Sequence, residues 1–275
     1  MPYKTKSRAR KTAPRKRVYR KKRSYRKKTA RRITNKRIAN IASTKKSDTM
    51  VGAFGSDGTW NKTAITTIAA DGAYHSIGWC PTARYRSADE NQRNRATVYL
   101  KGIAENILLT TNTDVPWVWR RIVFRTTDIY SQFASLDTND ATLKTYYRNM
   151  NVDQTQNVVV VDDLLTGYNG TDWVDPLNGK VNTQKYTVLE DKVTMITTAS
   201  TRGVFKKIKK YYGINKNFTY DDEENGGGEN SSPWGVMDTT RGNNVYIFDM
   251  IRSASAVAGS NVTLRVQSTL YWHEK

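Results

Sequence analysis

The chain has 275 residues, room for one large domain or two small ones, and a formal net charge of +20. The charge belongs to the first 46 residues, which carry 21 Lys and Arg and no acid, while the remaining 24 basic residues face 25 acidic ones. This excludes a uniformly basic protein; no run reaches the roughly 18 apolar residues of a membrane span, and a single cysteine, Cys80, excludes an intrachain disulfide and suits a reducing compartment.

Residues 1–50 are the first predicted unit, a disordered basic arm. So few apolar residues cannot offset the entropy of ordering the segment. The cationic start is not followed by 7–15 apolar residues, so a secretory signal is not expected, and the scarcity of large aliphatics leaves no apolar face for an amphipathic import helix. Arg8, Arg10, Lys11, Arg15, Lys16, Arg17, Arg20, Lys21, Lys22, Arg23, Arg26, Lys27, Lys28, Arg31 and Arg32 are candidate DNA contacts. Such groups neutralise phosphates and release counterions without reading base sequence. Tyr19 and Tyr25 stand between the charges and can stack on unpaired bases, worth roughly 1–3 kcal/mol each. Arg15, Lys16, Arg17, Arg20, Lys21, Lys22 and Arg23 also match a nuclear-import signal, which implies host import receptors as partners. In 33–42, Ile33, Ile38, Ile41 and Ala42 share one helical side; at about ten residues such a helix is marginal alone, and a hinge is the alternative.

Residues 51–275 read as one β-rich domain. Thr, Val, Ile, Tyr and Trp dominate, and apolar residues recur with period two. Strands are predicted at 64–70, 74–80, 96–110 (bent at Gly102 or Asn106) and 117–125. In the last, Trp117, Trp119 and Val123 share one face and Val118, Ile122 and Phe124 the other. Segment 138–150 is the predicted helix, capped by Asn139 or Asp140, with Leu143, Tyr146 and Tyr147 on its apolar side. Further strands are predicted at 157–161, 185–197, 204–213, 244–251 and 262–272. Segment 244–251 is apolar on both faces, as in the middle of a sandwich. Eight or nine strands joined by long turn-rich connections predict an all-β jelly-roll sandwich.

Candidate chemistry in this domain is sparse. Lys206, Lys207, Lys209 and Lys210 interleave with Phe205, Tyr211 and Tyr212, a possible second DNA contact. The same run also reads as a basic strand edge that discourages aberrant pairing, or as a contact with Asp221–Glu224 of a neighbouring copy. Those four acids could collect a cation but read better as a solvated loop, so no metal site is expected. His75 and Cys80 could form a nucleophile pair; a buried strand cysteine is the commoner arrangement. Paired metal-binding histidines and a phosphate-cradling Gly-x-x-x-x-Gly-Lys loop are absent from the sequence, so neither an enzyme nor a cofactor is expected. A ribosomal or histone-like protein would explain the arm but not seven tryptophans and sixteen tyrosines. An aromatic, uncharged β body suits packing between subunits.

Four stretches then carry a family resemblance. They are the Tyr-punctuated arm; Val98-Tyr-Leu-Lys-Gly-Ile-Ala-Glu-Asn106 running on to Pro116-Trp-Val-Trp-Arg-Arg-Ile122; Tyr220-Asp-Asp-Glu-Glu-Asn-Gly-Gly227; and the closing Leu270-Tyr-Trp-His-Glu-Lys275. In order and spacing they resemble the capsid proteins of genomoviruses (gemycircularvirus-like), distant relatives of geminivirus coat proteins. The resemblance implies a jelly-roll capsid protein of a single-stranded DNA virus. It further implies a T=1 icosahedral shell of about sixty copies, an encapsidated circular genome, and a virion that passes through the host nucleus. One departure is Lys206-Lys-Ile-Lys-Lys-Tyr-Tyr-Gly213, which stands where relatives carry a basic Trp-His-Pro-like element. A cellular or mobile-element nucleic-acid-binding protein with a β body is the alternative.

Overall fold

The computed structural model describes residues 41–55, 61, 65–87, 89–90, 92–137, 145–152 and 154–275. One sheet contains β1 (Thr44–Ala53), β2 (Ile65–Asp71), β4 (Thr97–Thr111), β6 (Leu136–Asp137), β7 (Tyr146–Asn149), β9 (Phe205–Thr219) and β13 (Ala256–Glu274). The other contains β3 (Tyr74–Trp79), β5 (Trp117–Thr126), β8 (Thr187–Ile196) and β12 (Asn244–Ser253). A hairpin of β10 (Glu223–Asn225) and β11 (Gly228–Asn230) and the helix α1 (Gln154–Leu164) lie in the connections.

The strand order identifies the fold. The first sheet runs β6-β7-β1-β13-β4-β9, and β2 continues β1 along the same flank of β13. The second runs β3-β12-β5-β8. With β1 and β2 taken as one strand position, the main strands lie in the order 1-8-3-6 in one sheet and 2-7-4-5 in the other. These are the two interlocked Greek keys of a jelly roll. Short connections (72–73, 112–116, 197–204 and 254–255) meet at one end, where Ala254 N donates to Pro116 O and Thr111 N to Val204 O. The long connections, which join β3 to β4, β5 to β8 and β9 to β12, leave the strands from the other end.

Period-two patterning builds the core between the sheets. In β4, Val98, Leu100, Ile103, Ile107 and Leu109 are buried, and the alternation slips at Gly102, where a bulge shifts the register against β9. A side chain at Gly102 would meet the carbonyl oxygen of Tyr212 at 2.5 Å, so glycine allows the close strand approach. Trp117, Trp119 and Val123 of β5 join Ile247 and Ile251 of β12 in this core. The opposite faces of the same two strands bury Ile122, Phe124, Tyr246 and Phe248 against α1 and residues 165–186. Sheet two is therefore covered on both sides, which explains why 244–251 carries apolar residues on both faces, with Asp249 as its one charge.

Three predicted elements are corrected. Segment 157–161 is part of α1, not a strand: Asn157, Val160, Val161, Leu164 and Leu165 are buried at helical spacing, and Val158 and Val159 face outward. The predicted helix 138–150 does not reach its end, because Tyr146–Asn149 is the buried strand β7; residues 138–144 lie outside the described residues. Residues 44–50, assigned to the arm, belong to β1. That strand is held by ladder pairing to β13 and by ion pairs of Lys46 with Glu274 and Asp48 with Arg84, so its first half carries almost no apolar signal. The compact unit spans Ala42–Lys275.

Candidate nucleic-acid interface

The candidate contacts Arg8 to Arg32 lie outside the described residues. Of the sequence-derived candidates, the structure places Lys206, Lys207, Lys209 and Lys210, all on β9. This is an edge strand, paired with β4 on one side only. Strand alternation splits the four lysines into two pairs. Phe205, Lys207, Lys209 and Tyr211 point away from the sandwich and are exposed. Lys206 and Lys210 flank Ile208, which packs on the core, and point with it toward β8 of the other sheet. The two faces that strand alternation assigns to these lysines are therefore two separate surfaces.

The inward pair lines a cleft of about 110 Å³ with Trp119, Arg121, Glu190, Lys192 and Thr194. Lys210 forms an ion pair with Glu190, which also accepts a 2.7 Å hydrogen bond from the Tyr212 hydroxyl. Burial pushes the Tyr212 phenol up despite nearby Arg121, so it remains a donor. Lys210 is thus engaged within its own chain. A contact with Asp221–Glu224 of another copy is not available to it without breaking this pair.

Beneath the cleft lies an ionic cluster that the sequence reading missed. Arg121 meets Asp249 through two 2.7 Å bonds and also pairs with Glu105. Arg148 closes the ring, 2.9 Å from Glu105 and 3.3 Å from Asp249. Ser268 donates to Glu105 at 2.8 Å, and the Trp119 indole to Asp249 at 2.7 Å. Two cations and two anions are thus enclosed with their hydrogen bonds largely satisfied, and they link both sheets. Burial by itself would raise the Glu105 carboxyl; Arg121 and Arg148 outweigh it and hold the group at about 2. The available signal was a charge at an inward position of an otherwise apolar strand, at Glu105 and Asp249.

The other candidates resolve in the same way. Cys80 is fully buried, burial pushes its thiol up to about 12, and its sulfur lies 3.3 Å from Thr82 Oγ1. It is a core residue in character. His75 lies 3.0 Å from Asp71. The acidic run is not a uniformly solvated loop: the Asp222 side chain is enclosed and takes two hydrogen bonds from Arg93, which also covers the Tyr220 ring at 3.7 Å. Glu223 and Glu224 are exposed on the β10–β11 hairpin. Among the described residues no group of three or more His, Cys, Asp or Glu is placed to hold a metal ion, and no helix is long and apolar enough to cross a membrane.

No protein-family model and no curated protein matches the chain. Among solved structures, one of desmodium yellow mottle tymovirus aligns over 85% of this chain and 90% of that one, with 8% identity and a TM-score of 0.32. The unassembled KI polyomavirus VP1 pentamer aligns over 86% and 96%, with 11% identity and a TM-score of 0.18.

Proposed function

We propose that the chain is a viral coat protein that self-assembles into a small icosahedral shell and packages circular single-stranded DNA through its N-terminal arm. The observation that carries this reading is the union of two unlike parts in one chain. A jelly roll whose ionisable residues nearly balance follows a segment with 21 positive charges and no negative one. The arm supplies sequence-independent phosphate neutralisation; about sixty arms would bring on the order of 1,200 positive charges to one genome. The body leaves apolar side chains exposed where copies could pack, with Tyr168, Val174 and Met237 each at least 80% accessible. The genomovirus-like order of the four motifs favours circular single-stranded DNA as the cargo. Nuclear entry through Arg15–Arg17 and Arg20–Arg23 belongs to the same proposal. A fluorescent fusion of the full chain should lose nuclear accumulation when these seven residues become alanine.

The test is purification of the full chain followed by negative-stain imaging and nuclease digestion. Uniform small shells holding nuclease-protected single-stranded DNA are expected. Deleting residues 2–41, which stops before the compact unit, should sharply reduce protected DNA while the body still folds. Soluble monomers that never assemble would instead support a cellular or mobile-element nucleic-acid-binding protein.

A further inference from the structure

The outward side of the larger sheet has an unusual charge distribution. In strand register, Lys207 of β9 lies beside Leu108 of β4, which lies beside Arg265 of β13. Lys209, Asn106 and Gln267 form the next row, and Tyr211, Ala104, Thr269 and Thr49 the one beyond. Nearer the chain end, Lys45 of β1 pairs with His273 of β13, which pairs with Tyr99 of β4. Lys101 of β4 projects from the same face, where its ammonium donates to the Asn215 side chain at 2.7 Å. Across β1, β13, β4 and β9 the outward positions contain no Asp or Glu. The acids of these strands all point inward, where Asp48 pairs with Arg84, Glu105 with Arg121 and Arg148, and Glu274 with Lys46.

We infer that this outward face is a second contact surface for single-stranded nucleic acid, with Lys101, Lys207, Lys209 and Arg265 meeting phosphates and Tyr211 and Tyr271 stacking on bases. The inference rests on the nucleic-acid-binding function proposed above and extends it from the arm to the folded body. Like charges on neighbouring strands without counter-charges repel one another, and a polyanion relieves that repulsion. Because the body as a whole carries slightly more acid than base beyond residue 46, an acid-free face of four strands is a segregation of charge and not a by-product of composition. Partial burial, and then the nearby charges of Lys45 and Lys101, lower the pKa of His273 on this face.

The uncharged side chains fit the same ligand. Tyr211 is 56% and Tyr271 37% accessible, so each offers a ring to an unpaired base. Hydroxyl pairs such as Thr49–Thr269 and Thr97–Thr219, with the amides of Asn106 and Gln267, add neutral hydrogen-bonding groups between the cations. Four strands at about 4.8 Å spacing give a platform roughly 15 Å across, wide enough for a single strand with its bases splayed. Lys206 and Lys210 are excluded, because they turn into the cleft on the other side of β9.

The experiment measures binding of the full chain to fluorescent oligothymidylate as a function of salt. Replacing Lys207, Lys209 and Arg265 together by glutamine should make the slope of log affinity against log salt shallower by about 2, at roughly 0.7 per lost phosphate contact. Tyr211→Ala with Tyr271→Ala should weaken binding about 5- to 150-fold for each stack lost, with the slope unchanged. A control removing the exposed charges Arg95, Lys180 and Arg202 should leave the slope as it was, and melting curves should show all variants folded. Lys207→Arg with Lys209→Arg should restore the wild-type slope. If the sheet variant keeps the wild-type slope while glutamine at Arg15, Lys16, Arg17 and Arg20 flattens it, the arm binds alone and the inference fails. Altered sedimentation with unchanged DNA binding would make the face a contact between copies, which also overturns it. Absence of any binding by the intact chain at low salt would overturn the function proposed above as well.

Discussion

Glu105 has no access to solvent, yet it is ionised because two guanidinium groups and a serine hydroxyl surround it. Removing its charge would leave Arg121 and Arg148 with one carboxylate, Asp249, between them. Glu105→Gln should therefore cost about 3–5 kcal/mol, the usual loss when one member of a buried ion pair is deleted; urea denaturation measures it. The pH dependence follows from the same group. Its folded pKa, about 2, lies below the ordinary value of 4.5 that holds in the unfolded chain, so its contribution is fully present above pH 4.5 and is lost as pH falls toward 2. Melting temperature should decline over that interval, and less steeply in Glu105→Gln. An equal decline in both proteins would remove Glu105 as the cause. Six arginines are buried in the body, among them Arg84, Arg93, Arg121 and Arg148. A composition counts these as surface charge, so interior pairing of this kind was not legible residue by residue.

At the scale of elements, Val158–Val161 shows how a local signal misleads. Four consecutive valines favour a strand by β-branching alone. In a strand, Val159 and Val161 would share a face; in α1 they do not, and Val159 is 64% accessible while Val161 is buried. Val161→Ala should cost on the order of 2 kcal/mol through lost burial and a cavity, whereas Val159→Ala should stay within about 0.5 kcal/mol. Equal costs would argue for the strand. The helix prevails because its buried side, from Asn157 to Leu165, covers the outer face of β5 and β12, and Asn157 donates to the Ser76 carbonyl. For β5 and β12, a short β-branched and aromatic run that is apolar on both faces was sufficient. For β1 no such run is present, since the strand's polar half is stabilised by ladder pairing to β13 more than 200 residues away and by the ion pair of Asp48 with Arg84.

For the folded unit as a whole, the decisive contact is between its first and last strands. β1 pairs with β13 from Thr44–Glu274 through Val51–Gln267, so the sheet is completed only when both are present. Trp272 lies at this junction, buried beside Met50 and Leu270, with its indole donating to Glu274. Trp272→Ala should destabilise the unit by about 3–5 kcal/mol. Amide exchange should accelerate first along Thr44–Val51 if the loss is local to this closure. A uniform acceleration across β5 and β12 as well would show that the two sheets unfold as one.

The sequence by itself determined the partition of charge, the all-β class and most strand positions. These depend on composition and on alternation within a few residues, which survive without knowledge of partners. Tertiary structure alone decided which strands are neighbours, that Glu105 and Asp249 are enclosed by arginines, and which pair of β9 lysines meets a cleft and which an open face. Those outcomes depend on side chains brought together from distant segments. Alternation specifies that two sets of side chains oppose each other, but only the assembled sandwich determines which set meets the core and which meets solvent.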